Sequence, residues 1–381
     1  MGKTGFFKKP IFPWWVKPLK TLILLGLRGK IHIRKLDEVE GNNKLSSFHR
    51  LNPPSTCRKE LDMLEERVRL ESLVANALRI AKVSGGVISK EVFMDIGRRK
   101  ANYVKKTGDE MVAKRLVKTR SVPHDVNAYQ ILKEGAKRCE ALGSYESGRM
   151  KVSADRIERR VALSRLIYEC QLAGIAYDDK DVNREDVSEA FYTGLELKGD
   201  MGGDELKSSR FLGMIVNRET ETIYMFYPLL CNGMHKRGEL RAREYLLNKF
   251  RAKRTVNILF TRKKEEIETF ISQEAWENDA GFGTRFIDAT FWIVTDYREL
   301  MELLEKKNGE KLVKFANEKG FKTIYNAVPL SVEVIKKLKE GPLECVACQE
   351  EYVNCLKTMS KNTRFVFAKT DNLLGKDVRE L

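Results

Sequence analysis

Residues 67–142 set out three helical stretches and then two strands, in an order few folds can use. Arg67 to Val83 places Leu70, Val74, Leu78 and Ile80–Ala81 at helical spacing, so one face is apolar. Gly85-Gly86 ends that helix. Ser89 stands before Lys90-Glu91-Val92, an N-cap with an acid in the first turn, and predicts a short helix over Lys90–Ile96. Gly97 separates it from a basic helix over Arg98–Arg115, whose middle Gly108 weakens. Leu116–Val122 is rich in β-branched residues and alternates as strands do. Pro123-His124-Asp125 is a turn and Val126–Ile131 the return strand. Lys133-Glu134-Gly135 opens a further helix through Leu142.

Helix, short helix, basic helix and hairpin resemble a winged helix-turn-helix. Val104, Met111 and Leu116-Val117 fall where that fold needs core contacts for its third helix and first wing strand. The resemblance implies that the third helix enters the major groove of duplex DNA while the wing lies along the backbone. Arg98, Arg99, Lys100 and Asn102 stand at its N-terminal end, where base edges are read; Arg suits guanine and Asn adenine. Lys105, Lys106, Lys114, Lys118 and Arg120 would serve phosphates. A solvated basic helix is the simpler alternative.

Charge follows the same division. The 381 residues carry a net +16. Residues 1–36 contribute +9 and residues 98–120 contribute +7, which leaves the remainder neutral. Concentrated positive segments on a neutral chain point to a polyanionic partner. The first segment interleaves aromatics, lysines and prolines from Gly5 to Pro18 and therefore cannot be helical. It suits packing on the protein's own body, an arm in a DNA groove, or an anchor at a membrane surface. The best candidate for a membrane span, Leu22–Leu27, is too short to cross a bilayer. Seven cysteines, mostly scattered, are not a disulfide framework. A cytoplasmic location is expected.

Beyond a polar break at Ser144–Arg149, Ser153–Ala173 predicts a long helix stopped by Gly174. Such a helix either pairs across a two-fold axis or packs inside the monomer. From Ser188 onward, strands and helices alternate. Phe211–Val216 and Ile223–Leu229 form a hairpin, and Val256–Thr261, Phe286–Thr295 and Thr323–Val328 are strands. Glu239–Phe250, Lys263–Glu274 and Arg298–Lys319 are helices, the last with a break at Gly309. A hairpin leading into β-α-β units is a mixed α/β sheet, compatible with a restriction-endonuclease-like core. Ala173-Gly174-Ile175, Phe191–Lys198 and Ser209-Arg210-Phe211-Leu212-Gly213 together resemble proteins of the replication-relaxation type, carried by bacterial plasmids and integrative elements. The resemblance covers residues 65–320. It implies a DNA-binding accessory of plasmid replication or conjugative transfer.

Two patterns point elsewhere. Glu196-Leu197-Lys198 spells half of a metal-dependent nuclease site, which needs Mg²⁺ and a further acid, with Asp178, Asp179 and Asp181 upstream. Surface charges are the simpler account. Cys345, Cys348 and Cys355 resemble part of a zinc site, but all four histidines are remote; reduced cysteines on a helix are the simpler account. No P-loop, dinucleotide fingerprint or nucleophile elbow occurs.

The expectation is a chain of mixed α+β and α/β class. A basic extension with its linker (1–57) precedes a winged helix-turn-helix (65–143), a bridging helix (150–175), a mixed α/β domain (183–330) and a C-terminal extension with the cysteines (331–381). It would bind duplex DNA without catalysing a reaction. Its α/β domain would serve protein contacts, with replication or transfer proteins or as a homodimer. No resident cofactor is expected; Mg²⁺ enters only with the nuclease alternative and Zn²⁺ only with the cysteine one. A third alternative is a membrane-associated assembly protein held by its N-terminal arm.

Overall fold

The computed structural model describes residues 72–97, 101–122, 126–141, 154–178, 183–201, 204–229, 236–261, 264–272, 289–294, 296–304 and 306–374. The N-terminal extension, Arg98, Arg99, Lys100, the Pro123–Asp125 turn, Asp179 and Asp181 lie outside them. The described residues form a mixed α/β protein with three sheets. Among the described residues, no helix is long and apolar enough to cross a membrane.

The first sheet has the order β1-β3-β2, all antiparallel, from β1 (Val87–Ser89), β2 (Val117–Val122) and β3 (Val126–Ile131). The helix of residues 72–83 gives way to Gly85 and Gly86, both at positive φ (82° and 95°), which turn the chain into β1. Ser89 caps the next helix, Lys90–Gly97, as its side chain accepts from the Val92 N–H at 3.0 Å. The basic helix is Ala101–Ala113. Val104 and Met111 join Ile88, Phe93, Val117, Tyr129 and Ile131 in one core on one face of this sheet. Phe93 meets Tyr129 edge-on at 5.4 Å. Gly108 proves to be a contact rather than a weakness: a Cβ there would collide with the Tyr129 hydroxyl and lie 3.0 Å from Tyr129 Cζ. Its absence lets the helix rest directly on the strand.

Ile157 and Val161 pack with Val87 and Ala128 on the sheet's other face. They belong to the bridging helix, Ala154–Leu172. Gly174, at φ 74°, ends that helix, with the Ile175 N–H returning to the Cys170 carbonyl at 2.9 Å. Leu163, Leu166, Ile167 and Cys170 are buried, so this helix packs inside the chain.

The second sheet runs β4-β5-β6-β7-β8, from β4 (Glu189–Thr193), β5 (Gly213–Asn217), β6 (Thr222–Pro228), β7 (Arg254–Thr261) and β8 (Thr290–Ile293). β4, β5 and β6 form an antiparallel meander; β6, β7 and β8 are parallel. The helix Lys236–Phe250 makes the crossover from β6 to β7. Both faces are covered. Tyr224, Phe226, Ile258 and Phe260 share a core with the bridging helix and the first sheet. Ile223, Met225, Tyr227 and Leu259 pack with Ala242, Leu246 and the C-terminal helices. Burying a side chain such as Phe226 contributes about 1.5–3 kcal/mol.

The third sheet corrects two expectations. β9 (Ile324–Ala327), β10 (Cys345–Gln349) and β11 (Arg364–Ala368) are parallel in the order β11-β10-β9. Residues 331–374 therefore share a sheet with β9, and a boundary after residue 330 cuts through it. The predicted Arg298–Lys319 helix is two helices, Tyr297–Leu304 and Lys306–Glu318, so the break falls before Gly309. Gly309 instead sits against the Asn326 side chain.

Candidate nucleic-acid interface

The Ala101–Ala113 helix has a clear inside and outside. Val104, Thr107, Gly108 and Met111 are buried. Asn102, Lys105, Lys106, Asp109 and Val112 are exposed and recur at helical spacing, so they form one outward face. Arg115, at φ 53°, ends the helix, and the Leu116 N–H returns to the Met111 carbonyl at 2.9 Å. Lys114 lies 3.8 Å from Glu110, an exposed pair of little energetic weight. Lys90 stands over the Tyr129 ring at 5.2 Å. Burial, and to a smaller degree Asp109, raises the Tyr129 phenol, so it stays neutral.

The hairpin divides the residues that the sequence groups together. Lys118 pairs with Gln130 and Arg120 with Ala128, so their side chains share the face of Ala128, which packs on the bridging helix. Arg120 Nε donates to Gln130 Oε1 at 2.9 Å. Lys118 and Arg120 thus sit on the opposite face of the sheet from Asn102, Lys105 and Lys106. The exposed residues on the helix-bearing face are Thr119, Ser121 and Asn127, since they pair with or alternate from Tyr129. Sequence reasoning that selects cations alone passes over them; the two-residue period counted from buried Val117 identifies them.

Glu196 and Lys198 are placed differently from a nuclease pair. They lie on a short helical segment after β4, not on a strand. Both Glu196 oxygens accept from Arg184: Oε2 from Nη1 at 3.1 Å, and Oε1 from Nη2. Glu196 also closes a capping box with Thr193. Lys198 Nζ donates to the Ser209 carbonyl at 2.7 Å. Asp178 pairs with Arg79 Nε at 3.1 Å. These charges hold local structure.

Cys345 and Cys348, three residues apart on β10, point to opposite faces; Cys348 joins the core that includes Cys355, on the helix Glu350–Met359. The expected helix is thus correct for Cys355 alone. Burial pushes the Cys348 thiol up to about 12, that of Cys355 to about 11, and that of Cys345 upward. Among the described residues, no three His, Cys, Asp or Glu side chains gather around one point fit for a metal ion.

Two further features carry no sequence signal. A cavity of about 470 Å³ opens between Arg79, Gln171, Tyr177, Asp178, Glu189 and Arg298. Its arginines are each matched by a carboxylate, Arg79 to Asp178 and Arg298 to Glu189 at 2.6 Å. Beneath the basic helix's neighbour, Arg165 bridges Asp95 on Lys90–Gly97 and Glu169 on the bridging helix, the latter at 2.8 Å. Burial raises Glu169 to about 7; Arg165 lowers it, while Asp296 and Asp95 raise it. No family model, curated protein or solved structure matches the chain.

Proposed function

We propose that the chain binds duplex DNA through residues 72–141, which act as a winged helix-turn-helix. Three observations support this. The element order ends in a hairpin whose second strand lies between β1 and β2. The third helix buries one face on that sheet and turns the other to solvent. Lys105 and Lys106 are exposed there beside Asn102. The last observation carries the most weight, because a helix that presents cations and an amide outward can neutralise phosphates and pair with adenine.

On this proposal Asn102, with Arg98, Arg99 and Lys100 just before it, reads bases, and Lys105, Lys106 and Lys114 bind the backbone. The exposed hydroxyls of Thr119 and Ser121 and the Asn127 amide are added as backbone contacts, and Lys118 and Arg120 become secondary. The five-stranded sheet, a meander leading into parallel crossovers, is compatible with a restriction-endonuclease-like core. It would serve protein contacts or dimerisation. On the resemblance to the replication-relaxation type, the chain would act in the cytoplasm as a DNA-binding accessory of a mobile element.

A double reversal, Lys105→Glu with Lys106→Glu, tests the proposal by electrophoretic mobility shift on mixed-sequence duplex. Both side chains are exposed, so the variant is expected to unfold at the wild-type temperature yet lose binding at least 100-fold, near 1.4 kcal/mol per tenfold. Unchanged affinity would reject the proposal.

A further inference from the structure

Four elements meet around the cavity that holds Gln171: the helix of residues 72–83, the bridging helix, β4 and Tyr297–Leu304. Its volume of about 470 Å³ is that of a small-molecule site. Each ion pair in its wall sets a shielded acid against a more open arginine. Asp178 is 13% exposed and its partner Arg79 32%; Glu189 is 14% exposed and its partner Arg298 49%. The carboxylates therefore stand deeper than the guanidinium groups. These two acids and two arginines are the charged residues of the wall among the described residues, so their charges cancel. A neutral but polarised wall suits a ligand that is itself dipolar, since a net charge taken out of water there would stay uncompensated.

The bridging helix gives the deep side the same sign. Gln171 is in its last turn and Gly174 just past its end, and both line the cavity. The carbonyl end of a helix carries partial negative charge. Gln171 Oε1 is shielded from solvent and accepts no hydrogen bond among the described residues. The Tyr297 hydroxyl, on a residue 1% exposed, likewise has no partner among them, and it lies within the electrostatic reach of Glu189 and Arg298. Buried polar atoms left unpaired are costly and call for a bound group that completes them. A carboxylate has about four acceptor positions, so Asp178 and Glu189 can take a further donor while each keeps its arginine.

We infer that this cavity binds a free α-amino acid, its ammonium group set toward Gln171 Oε1, Asp178 and Glu189 and its carboxylate toward Arg79 and Arg298. The inward acceptors match the three N–H donors of the ammonium, and the outward guanidinium groups match the carboxylate. The site is separate from the exposed face of the Ala101–Ala113 helix and does not depend on DNA binding there.

The test uses the full chain. Thermal unfolding is followed with each proteinogenic L-amino acid singly at millimolar concentration, and calorimetric titration then measures affinity for any that raises the Tm. At least one is expected to raise it saturably, because a ligand bound by the folded state alone stabilises that state. Its N-acetyl derivative, which lacks the ammonium, and its decarboxylated amine, which lacks the carboxylate, are expected to give no shift. Gln171→Met keeps the side chain's length and deletes the acceptor; it should weaken binding about tenfold or more. Gln171→Glu, which keeps an acceptor, should retain binding. Should Gln171→Met fail to fold, Arg298→Gln replaces it with the same expected loss. A Tm unmoved by every amino acid overturns the inference. So does an equal response in the variant and wild type, or a response to the N-acetyl derivative or the amine that matches the parent's.

Discussion

Replacing Gly108 with alanine pits two effects of known size against each other. Alanine in a helix interior is favoured over glycine by about 0.8–1.0 kcal/mol. The new Cβ, however, would overlap the Tyr129 hydroxyl and approach Cζ to 3.0 Å and Phe93 Cε1 to 3.4 Å. Tyr129 cannot swing freely, because it is 6% exposed and meets Phe93 edge-on. Overpacking of this kind costs about 1–3 kcal/mol. The net expectation is a loss of about 1–2 kcal/mol, taking the upper part of that range because the contacting atoms are ring atoms. Urea unfolding followed by circular dichroism reads it. Gly199→Ala is the control, since a Cβ there meets nothing within 4 Å, and it should be neutral or stabilising. Adding Tyr129→Phe to Gly108→Ala removes the overlapping oxygen and should recover part of the loss. If Gly108→Ala instead stabilises the protein by about 1 kcal/mol, helix propensity alone is operating and the packing of helix on strand is refuted.

Three other outcomes follow from particular side chains. Glu169 has a folded pKa near 7, above the usual carboxyl value, so its contribution to stability is full below about pH 4.5 and is lost as pH rises toward 7. Glu169→Gln should flatten the stability profile across that window by roughly 2–3 kcal/mol, whereas parallel profiles would contradict the burial argument. Arg184→Met strips a buried partner from Glu196 and should destabilise by about 2–4 kcal/mol; a change under 0.5 kcal/mol would mean the pair is dispensable. Cys345, Cys348 and Cys355 should react with a thiol reagent no faster than the protein unfolds, and rapid labelling of the native chain would show the third sheet to be open.

Legibility in the sequence varied with how local each cause was. The β2–β3 hairpin and the Ser89 cap stand out because alternation, turn residues and the capping hydroxyl are all neighbours in the chain. β1 escapes because three residues are too few to express a period. Cys345–Gln349 escapes for another reason: every residue of this parallel strand is buried, so no alternation remains, and two cysteines three apart suggest metal chemistry instead. Glu196 looks catalytic beside Lys198, since its partner Arg184 is twelve residues away and on no common repeat. Lys118 and Arg120 join the basic helix in a charge count, yet strand register turns them to the other side of the sheet. Register and sheet order both arise from tertiary pairing, which local pattern does not encode.

The central claim is that one exposed helix face neutralises several phosphates together. The most direct measurement is the affinity of the purified full chain for mixed-sequence duplex DNA as a function of potassium chloride. With the three phosphates of Lys105, Lys106 and Lys114 engaged, log affinity should fall against log salt with a slope of about −3. The slope should become shallower by about 2 in Lys105→Glu/Lys106→Glu, and by less than 1 in Lys118→Glu/Arg120→Glu. No binding at low salt, or a slope that the Lys105 and Lys106 reversals leave unchanged, would contradict the account.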